Sequence, residues 1–120
     1  MSNTTRFPTL YIPHGGGPWP FMPPRRPAAR DVYAGLTAYL RALPAILPSV
    51  PRAILVISAH WEAPLPTVLS APAPPMLYDY VGFPKETYES RWPAPGDPAL
   101  AERVQSLWRE AGIPSASDPK

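Results

Sequence analysis

The 120-residue sequence lacks cysteine, and only 17% of its residues are charged. Without cysteine the chain forms no disulfide and offers no thiolate as a nucleophile or metal ligand. The longest uninterrupted aliphatic run, residues 53–57, is far too short to cross a bilayer. Residues 1–6 carry no apolar stretch of the signal-peptide type, so we expect a cytoplasmic protein with no membrane partner.

Charge of either sign is not concentrated in any segment. The net charge is +2, and Arg25 and Arg26 are the only adjacent basic pair among 11 basic residues. Binding to nucleic acid usually needs a basic patch or stripe, so we expect no nucleic-acid partner. Histidine is also scarce, with His14 and His60 as its only two positions. Any imidazole chemistry must therefore come from these two residues.

Proline is abundant, at 21 residues, and its distribution marks where regular structure can form. Proline breaks the interior of helices and strands, and the four proline-free windows that matter here are 28–43, 52–63, 85–92 and 99–113. The segment 20–25 fits the P-x-x-P-x-R pattern of polyproline II ligands. A proline-rich interaction module is therefore one alternative, although chance matches are expected in this composition, and a rigid surface loop also explains the segment.

Two of these windows predict helices, over 31–43 and 98–111. Asp31 lies at the start of the first, where a carboxylate suits the helix dipole. The second has Asp97 as N-cap, Pro98 at the first helical position and Gly112 at its end. Apolar residues recur at helical spacing in both. They are Val32, Leu36, Tyr39, Leu40 and Leu43 in the first, and Leu100, Val104, Leu107, Trp108 and Ala111 in the second.

Three apolar segments predict strands, at 9–12, 53–59 and 66–71. The run at 53–57 is rich in β-branched residues, as expected of a strand buried on both faces of a parallel sheet. The first two predicted strands flank the first helix, so we predict that they are parallel neighbours in a right-handed βαβ unit. The predicted fold class is α/β, with a mostly parallel sheet flanked by helices. Three strands and two helices leave the sheet with open edges, and residues 118–120 supply no closing element, which favours part of a larger α/β domain.

Both histidines follow the end of a predicted parallel strand. His14 follows residues 9–12 after one proline and precedes three glycines, and His60 follows residues 53–59. Ligands bind at the carboxyl edge of such sheets, so the two imidazoles are candidates for one shared metal ion. The simpler alternative is that His14 is a solvated loop residue and His60 a half-buried one.

The segment His14 to Gly17 allows a second interpretation. A His-Gly-Gly-Gly run after a strand also occurs as the oxyanion loop of lipases and esterases. Such enzymes need a G-x-S-x-G nucleophile elbow, and the sequence contains no such pentapeptide. A hydrolase fragment that lacks its nucleophile therefore remains an alternative.

Four motifs in order cover most of the chain, and they are His14-Gly15-Gly16-Gly17-Pro18, Ser58-Ala59-His60-Trp61-Glu62, Tyr78-Asp79-Tyr80 leading into Gly82-Phe83-Pro84, and Trp92-Pro93-Ala94-Pro95-Gly96-Asp97-Pro98. Together they resemble the N-terminal half of class III extradiol ring-cleavage dioxygenases of the DOPA-dioxygenase type. The resemblance implies extradiol cleavage of a catechol-type substrate with dioxygen, at a mononuclear iron(II) or zinc(II) centre. It also implies that His14 and His60 are two of the metal ligands.

The resemblance further implies that residues 1–120 are the N-terminal part of one catalytic domain whose C-terminal half is absent. The family's active-site histidine and its further metal-ligating histidine lie in that second half. We therefore expect an incomplete site, with no catalytic acid or base of its own, that is inactive as this chain alone.

Other residues are candidates for the site. Tyr78 and Asp79, with Tyr80, are predicted to line the substrate-binding mouth, although the tyrosines could pack the sheet edge and Asp79 could cap a turn. Glu62 could complete a two-His-one-carboxylate set if the strand continues past His60, and a solvated carboxylate is the alternative. Two aromatic side chains are predicted to be core residues rather than substrate-stacking ones, Trp61 and Trp92.

Overall fold

The computed structural model of the chain describes residues 6–19, 22 and 32–120. Its elements are helix α1 (Ala34–Ile46), strand β1 (Thr67–Leu69), a short 3-10 helix (Lys85–Glu89), helix α2 (Pro98–Glu110) and strand β2 (Ala116–Asp118). They fall into two compact units. Unit 1 comprises Met1–Ile54 and Tyr80–Ser90, and unit 2 comprises Leu55–Asp79 and Arg91–Lys120.

Unit 2 is built around a βαβ arrangement. Strands β1 and β2 pair in parallel, with Thr67 opposite Ala116, and α2 packs on both strands. The ladder continues past the strand end, since the Ser70 amide donates to the Asp118 carbonyl at 2.7 Å. The α/β class and the strand within 66–71 are therefore confirmed. Strand β2 was not predicted from the sequence, and it forms by pairing with β1.

The core of unit 2 is small and consists of small side chains. Val68 of β1, Ala71 just after it and Ala101 of α2 are the buried hydrophobic residues within the described part of the chain. Leu100, Val104 and Trp108 flank Ala101 at helical spacing and are half-buried. Leu107 is 46% exposed, so the predicted apolar face of α2 is wider than the face that packs.

Both ends of α2 are satisfied as the sequence predicts. The Asp97 carboxylate accepts from the Leu100 amide at 2.9 Å, and Pro98 occupies the first helical position. At the other end Gly112 has a φ of 70°, and the Ile113 amide donates to the Trp108 carbonyl at 2.8 Å. This six-residue closure is the Schellman motif, in which glycine takes the left-handed conformation without a steric cost.

Replacing Asp97 with alanine should lower the free energy of unfolding by about 1 kcal/mol, because the first turn of α2 loses its only side-chain cap. Urea unfolding followed by circular dichroism measures the change. Asp97→Ser keeps an oxygen acceptor and should retain most of the stability. Equal losses in the two variants would show that the cap hydrogen bond is not the cause.

The segment before α2 approaches β1 closely. The Gly96 amide donates to the Pro72 carbonyl at 3.0 Å, and a Cβ atom at Gly96 would collide with the Ala71 carbonyl oxygen. Only glycine allows two backbones to come this near. The glycine of the Trp92–Pro98 motif therefore has a packing role in unit 2.

Unit 1 contains α1, whose position partly differs from the prediction. The helix begins at Ala34 and runs to Ile46, past Pro44, which lies in its last turn and removes only one hydrogen bond there. Leu36, Leu40 and Leu43 form its half-buried face, whereas Val32 is 80% exposed. The predicted N-terminal Asp31 lies outside the described residues, as does most of the proline-rich segment 20–25.

The two strands predicted at 9–12 and 53–59 are not strands in the structure, so the βαβ unit predicted between them is wrong. Their apolar side chains are exposed, including Ile54 at 65% and Ile57 at 93%. A strand needs a partner for its backbone ladder, and these stretches pair with no segment in the described part of the chain. The high β-propensity of these two stretches is therefore not enough to form a strand without a pairing partner.

Two further observations concern apolar surface. Trp61 and Trp92 are 45% and 67% exposed, so the prediction that they are core residues is wrong. The buried core of the described residues is too small to enclose indole rings. Among those residues, no helix is both long and apolar enough to cross a membrane.

Candidate functional site

His14 begins a glycine turn in unit 1. The side chains of two aromatic residues hydrogen-bond to the backbone of this turn. The Trp19 indole Nε1 donates to the His14 carbonyl at 2.6 Å, and the Gly16 amide donates to the Tyr33 hydroxyl at 3.2 Å. Trp19 and Tyr33 stack on each other with ring centroids 4.6 Å apart. The backbone that presents His14 is therefore fixed by Tyr33, which directly precedes α1.

The glycines after His14 are needed for this turn. Gly15 and Gly17 have φ values of 68° and 63°, in the left-handed region that side chains disfavour. A Cβ at Gly15 would lie 2.5 Å from Trp19 Nε1, and one at Gly17 would collide with the Phe83 ring. The triple glycine is thus explained by backbone conformation and aromatic packing.

This geometry weakens the hydrolase interpretation. An oxyanion loop must keep backbone amides directed at the reacting oxygen. The Gly16 amide instead donates to Tyr33. With no G-x-S-x-G motif in the sequence, the turn has neither a nucleophile nor this donor, and the oxyanion role loses its support.

His60 lies in unit 2 and is paired with a carboxylate that is 19 positions away. Its Nδ1 is 2.7 Å from Asp79 Oδ2, and both side chains are 56% exposed. The His60 amide also donates to Ser58 Oγ at 3.1 Å, which fixes the backbone just before the ring. An ionised carboxylate only accepts, so in a neutral His60 this contact favours the proton on Nδ1 and the lone pair on Nε2.

Arg91 hydrogen-bonds to Tyr78, the residue before Asp79. Its guanidinium donates to the Tyr78 hydroxyl at 3.1 Å, and the Tyr78 side chain is half-buried in unit 2. The structure therefore places Tyr78 and Asp79 in contact with different partners. Their predicted role in lining a substrate-binding mouth stays a prediction.

Tyr80 belongs to unit 1 and has a packing role. Its hydroxyl donates to the Thr87 carbonyl at 2.7 Å, and its ring contacts Phe83 and Tyr88 at centroid distances of 5.5 and 5.1 Å. Thr87 is fully buried and donates its hydroxyl to the Pro84 carbonyl at 2.7 Å. Tyr80 therefore packs within unit 1 and not at the edge of the β1–β2 sheet, and its predicted place at the substrate-binding mouth stays a prediction.

The structural reason for considering Glu62 as a metal ligand is absent. Its proposed alignment with His60 needed a continuous strand, and residues 58–63 form none. Among the described residues there is also no group of three or more His, Asp or Glu side chains that could hold a metal ion. If the two histidines bind a metal, they form part of a ligand set and not the whole of it.

The donor chemistry that is present fits a first-row metal. Imidazole nitrogen suits both iron and zinc. A metal-ligating histidine usually donates its other ring N–H to a carboxylate, and His60 shows this arrangement with Asp79. Sequence reasoning missed this pair because nothing in a sequence signals a contact between residues 60 and 79. It also missed Trp19, Tyr33 and Arg91, whose contacts depend on the folded chain.

Comparison with known proteins gave several relatives. The chain is 38% identical over 111 residues to the dioxygenase tasH of Hapsidospora irregularis, covering 88% of this chain and 33% of that protein. It is 36% identical over 107 residues to the 4,5-DOPA dioxygenase extradiol of Escherichia coli strain K12, covering 89% of this chain and 35% of that protein. A third relative, the 4,5-DOPA dioxygenase extradiol of Beta vulgaris, is 44% identical over 70 residues, which are 58% of this chain and 26% of that protein.

The similarity is limited in extent. The chain spans about a third of the length of the first two of these relatives. No family model matches the chain, and no solved structure matches it.

Proposed function

We propose that the chain forms part of an enzyme that cleaves a catechol-type ring in extradiol fashion, because it is similar to proteins named 4,5-DOPA dioxygenase extradiol. The observation that carries the proposal is 36% identity to the E. coli 4,5-DOPA dioxygenase across 89% of this chain. The substrates we propose are a small aromatic diol and dioxygen, and the cell compartment we propose is the cytoplasm.

We assign His14 and His60 as ligands of one iron(II) or zinc(II) ion. Two features support the assignment, namely the glycine turn that fixes the His14 backbone and the carboxylate on His60 Nδ1. A bound iron(II) supplies coordination positions at which a catechol and dioxygen meet, which removes most of the orientational cost of their encounter.

The remaining roles of this chain are positional. Tyr78 and Asp79 are the proposed contacts at the substrate-binding mouth, with Arg91 holding the Tyr78 hydroxyl. Ring cleavage also needs a base that takes a catechol proton. Since both histidines are assigned to the metal, we assign no catalytic acid or base in this chain, and we expect that residue to come from another segment.

The chain alone should therefore give no detectable ring cleavage, whereas a chimera should. In the chimera, this chain replaces the matched third of the E. coli relative, whose other residues supply the rest of the domain. Loading with iron(II) under anaerobic conditions, followed by a catechol and oxygen, should yield the yellow ring-opened product. Absorbance of that product measures turnover.

Two controls interpret the experiment. The intact E. coli protein sets the expected rate, and the chimera with His60→Ala should fall to the background rate. A folded chimera that loads iron but never opens a catechol ring would contradict the proposed function. Turnover by the chain alone would instead show that the site is complete here, contrary to the incomplete site that we propose.

A further inference from the structure

We propose that Asp79 is a positioning residue that sets the tautomer and orientation of His60. The inference rests on the proposed metal role of His60. An ionised Asp79 carboxylate accepts a hydrogen bond from Nδ1 at 2.7 Å, which leaves Nε2 as the ring nitrogen that would bind a metal ion. This is a second role for Asp79, beside the place at the substrate-binding mouth that is proposed above, since the hydrogen bond to His60 uses only Oδ2.

The tautomer matters because neutral imidazole has one protonated and one lone-pair nitrogen. Which nitrogen holds the proton is set by the hydrogen bond that the other makes. A free imidazole side chain favours the proton on Nε2, which would direct its lone pair away from the tip of the ring. The Asp79 contact reverses this preference and leaves the lone pair at Nε2, the nitrogen with the longest reach.

A contribution to folding stability does not explain the His60–Asp79 pair. Both side chains are 56% exposed, and ion pairs at such exposure contribute little because water screens them. Hydrogen bonds nevertheless hold the chain beside each partner, since Ser58 accepts from the His60 amide and Arg91 donates to Tyr78, the residue next to Asp79. A carboxylate on the second ring nitrogen is the usual arrangement of a metal-ligating histidine, where it sets the tautomer and the ring orientation.

The first test reads the tautomer without any metal. Long-range ¹H–¹⁵N correlation spectra of the chain at about pH 8.5, where an ordinary histidine is neutral, distinguish Nδ1–H from Nε2–H. We expect His60 to be the Nδ1–H tautomer in the wild type and to change to Nε2–H in Asp79→Ala. Asp79→Glu keeps a carboxylate and should restore much of the Nδ1–H form. Glu102→Ala, which removes an exposed carboxylate of α2, should leave the His60 signals unchanged.

The second test titrates zinc(II) into the same variants. Asp79→Ala should weaken zinc binding by about 10- to 100-fold, the usual cost of losing the partner of a metal-ligating histidine, and Asp79→Glu should recover part of it. Glu102→Ala should bind as the wild type does.

The outcomes separate this inference from the proposed function. A wild-type His60 in the Nε2–H form, or one indifferent to Asp79→Ala, would overturn the inference. Zinc binding that is lost in His60→Ala but unchanged in Asp79→Ala would also overturn it, while leaving the proposed metal role intact. Zinc binding unchanged in both variants would overturn the metal role of His60 and, with it, the role of Asp79.

Discussion

Replacing Gly96 with alanine should destabilise unit 2 by about 3 kcal/mol, at the upper end of the usual cost of overpacking. The added Cβ would collide with the Ala71 carbonyl oxygen and lie 3.0 Å from its carbon. Neither group can move freely. Gly96 itself donates to Pro72, and Ala71 is buried directly after β1. Relief of the collision would require opening the contact between this segment and the strand.

Such a loss is large for a chain with so small a core. Small domains are stable by about 5 to 15 kcal/mol, so a loss of this size should lower the urea midpoint clearly. Unfolding followed by circular dichroism and tryptophan fluorescence measures it, since Trp108 reports on α2.

A matched glycine provides the control. Gly35 lies in α1, and a Cβ there would meet no atom within 4 Å. Gly35→Ala should therefore stabilise the chain by about 0.5 to 1 kcal/mol, through helix propensity alone. If Gly96→Ala proved as stable as the wild type, the close backbone approach would be absent in solution.

The second large effect concerns the metal. His14→Ala and His60→Ala should each reduce zinc(II) or iron(II) affinity by more than about 100-fold, since loss of a ligand costs more than loss of its hydrogen-bond partner. The remaining imidazole would hold the ion without the second protein nitrogen. Equilibrium dialysis with elemental analysis measures the bound metal directly.

The two variants together test the shared role. The double variant should bind no more metal than a control protein without histidine, whereas Glu102→Ala should bind as the wild type does. Unchanged metal content in both single variants would remove His14 and His60 from the ligand set. A loss in only one of them would leave that residue as the sole ligand in this chain.

Local signals predicted some elements of the fold correctly. Helix α2 followed from residues within a few positions of each other, because Asp97, Pro98 and Gly112 mark its ends and its packed residues recur at helical spacing. Strand β1 followed from its β-branched composition. These features act over one or two turns of chain, which is the range that a sequence pattern describes.

Long-range pairing accounts for the errors. Residues 53–57 have the composition of a buried strand, yet the described chain gives them no partner and they are exposed. Strand β2 reads Ala-Ser-Asp, with no β-branched residue, and forms because β1 offers it a ladder. Strand formation depends on the neighbour as much as on propensity.

The candidate site shows the same division. The sequence pointed to His14, His60 and Asp79 as candidates, but it could not assign Asp79 to His60 across 19 positions. It also could not show that Tyr33 accepts from Gly16 across 17 positions. The sequence identifies the candidate site residues, whereas only the folded structure shows which residues they hydrogen-bond.

The parallel pairing of β1 with β2 has a consequence for the order of folding. Ser70 and Asp118 are bonded across 48 positions, so closing this ladder costs the entropy of a long loop. Helix α2 needs only local contacts and forms inside that loop, which shortens the flexible chain that must be brought together. We therefore expect the pairing of β2 with β1 to be the slow step in the folding of unit 2, after α2 has formed with both of its ends capped.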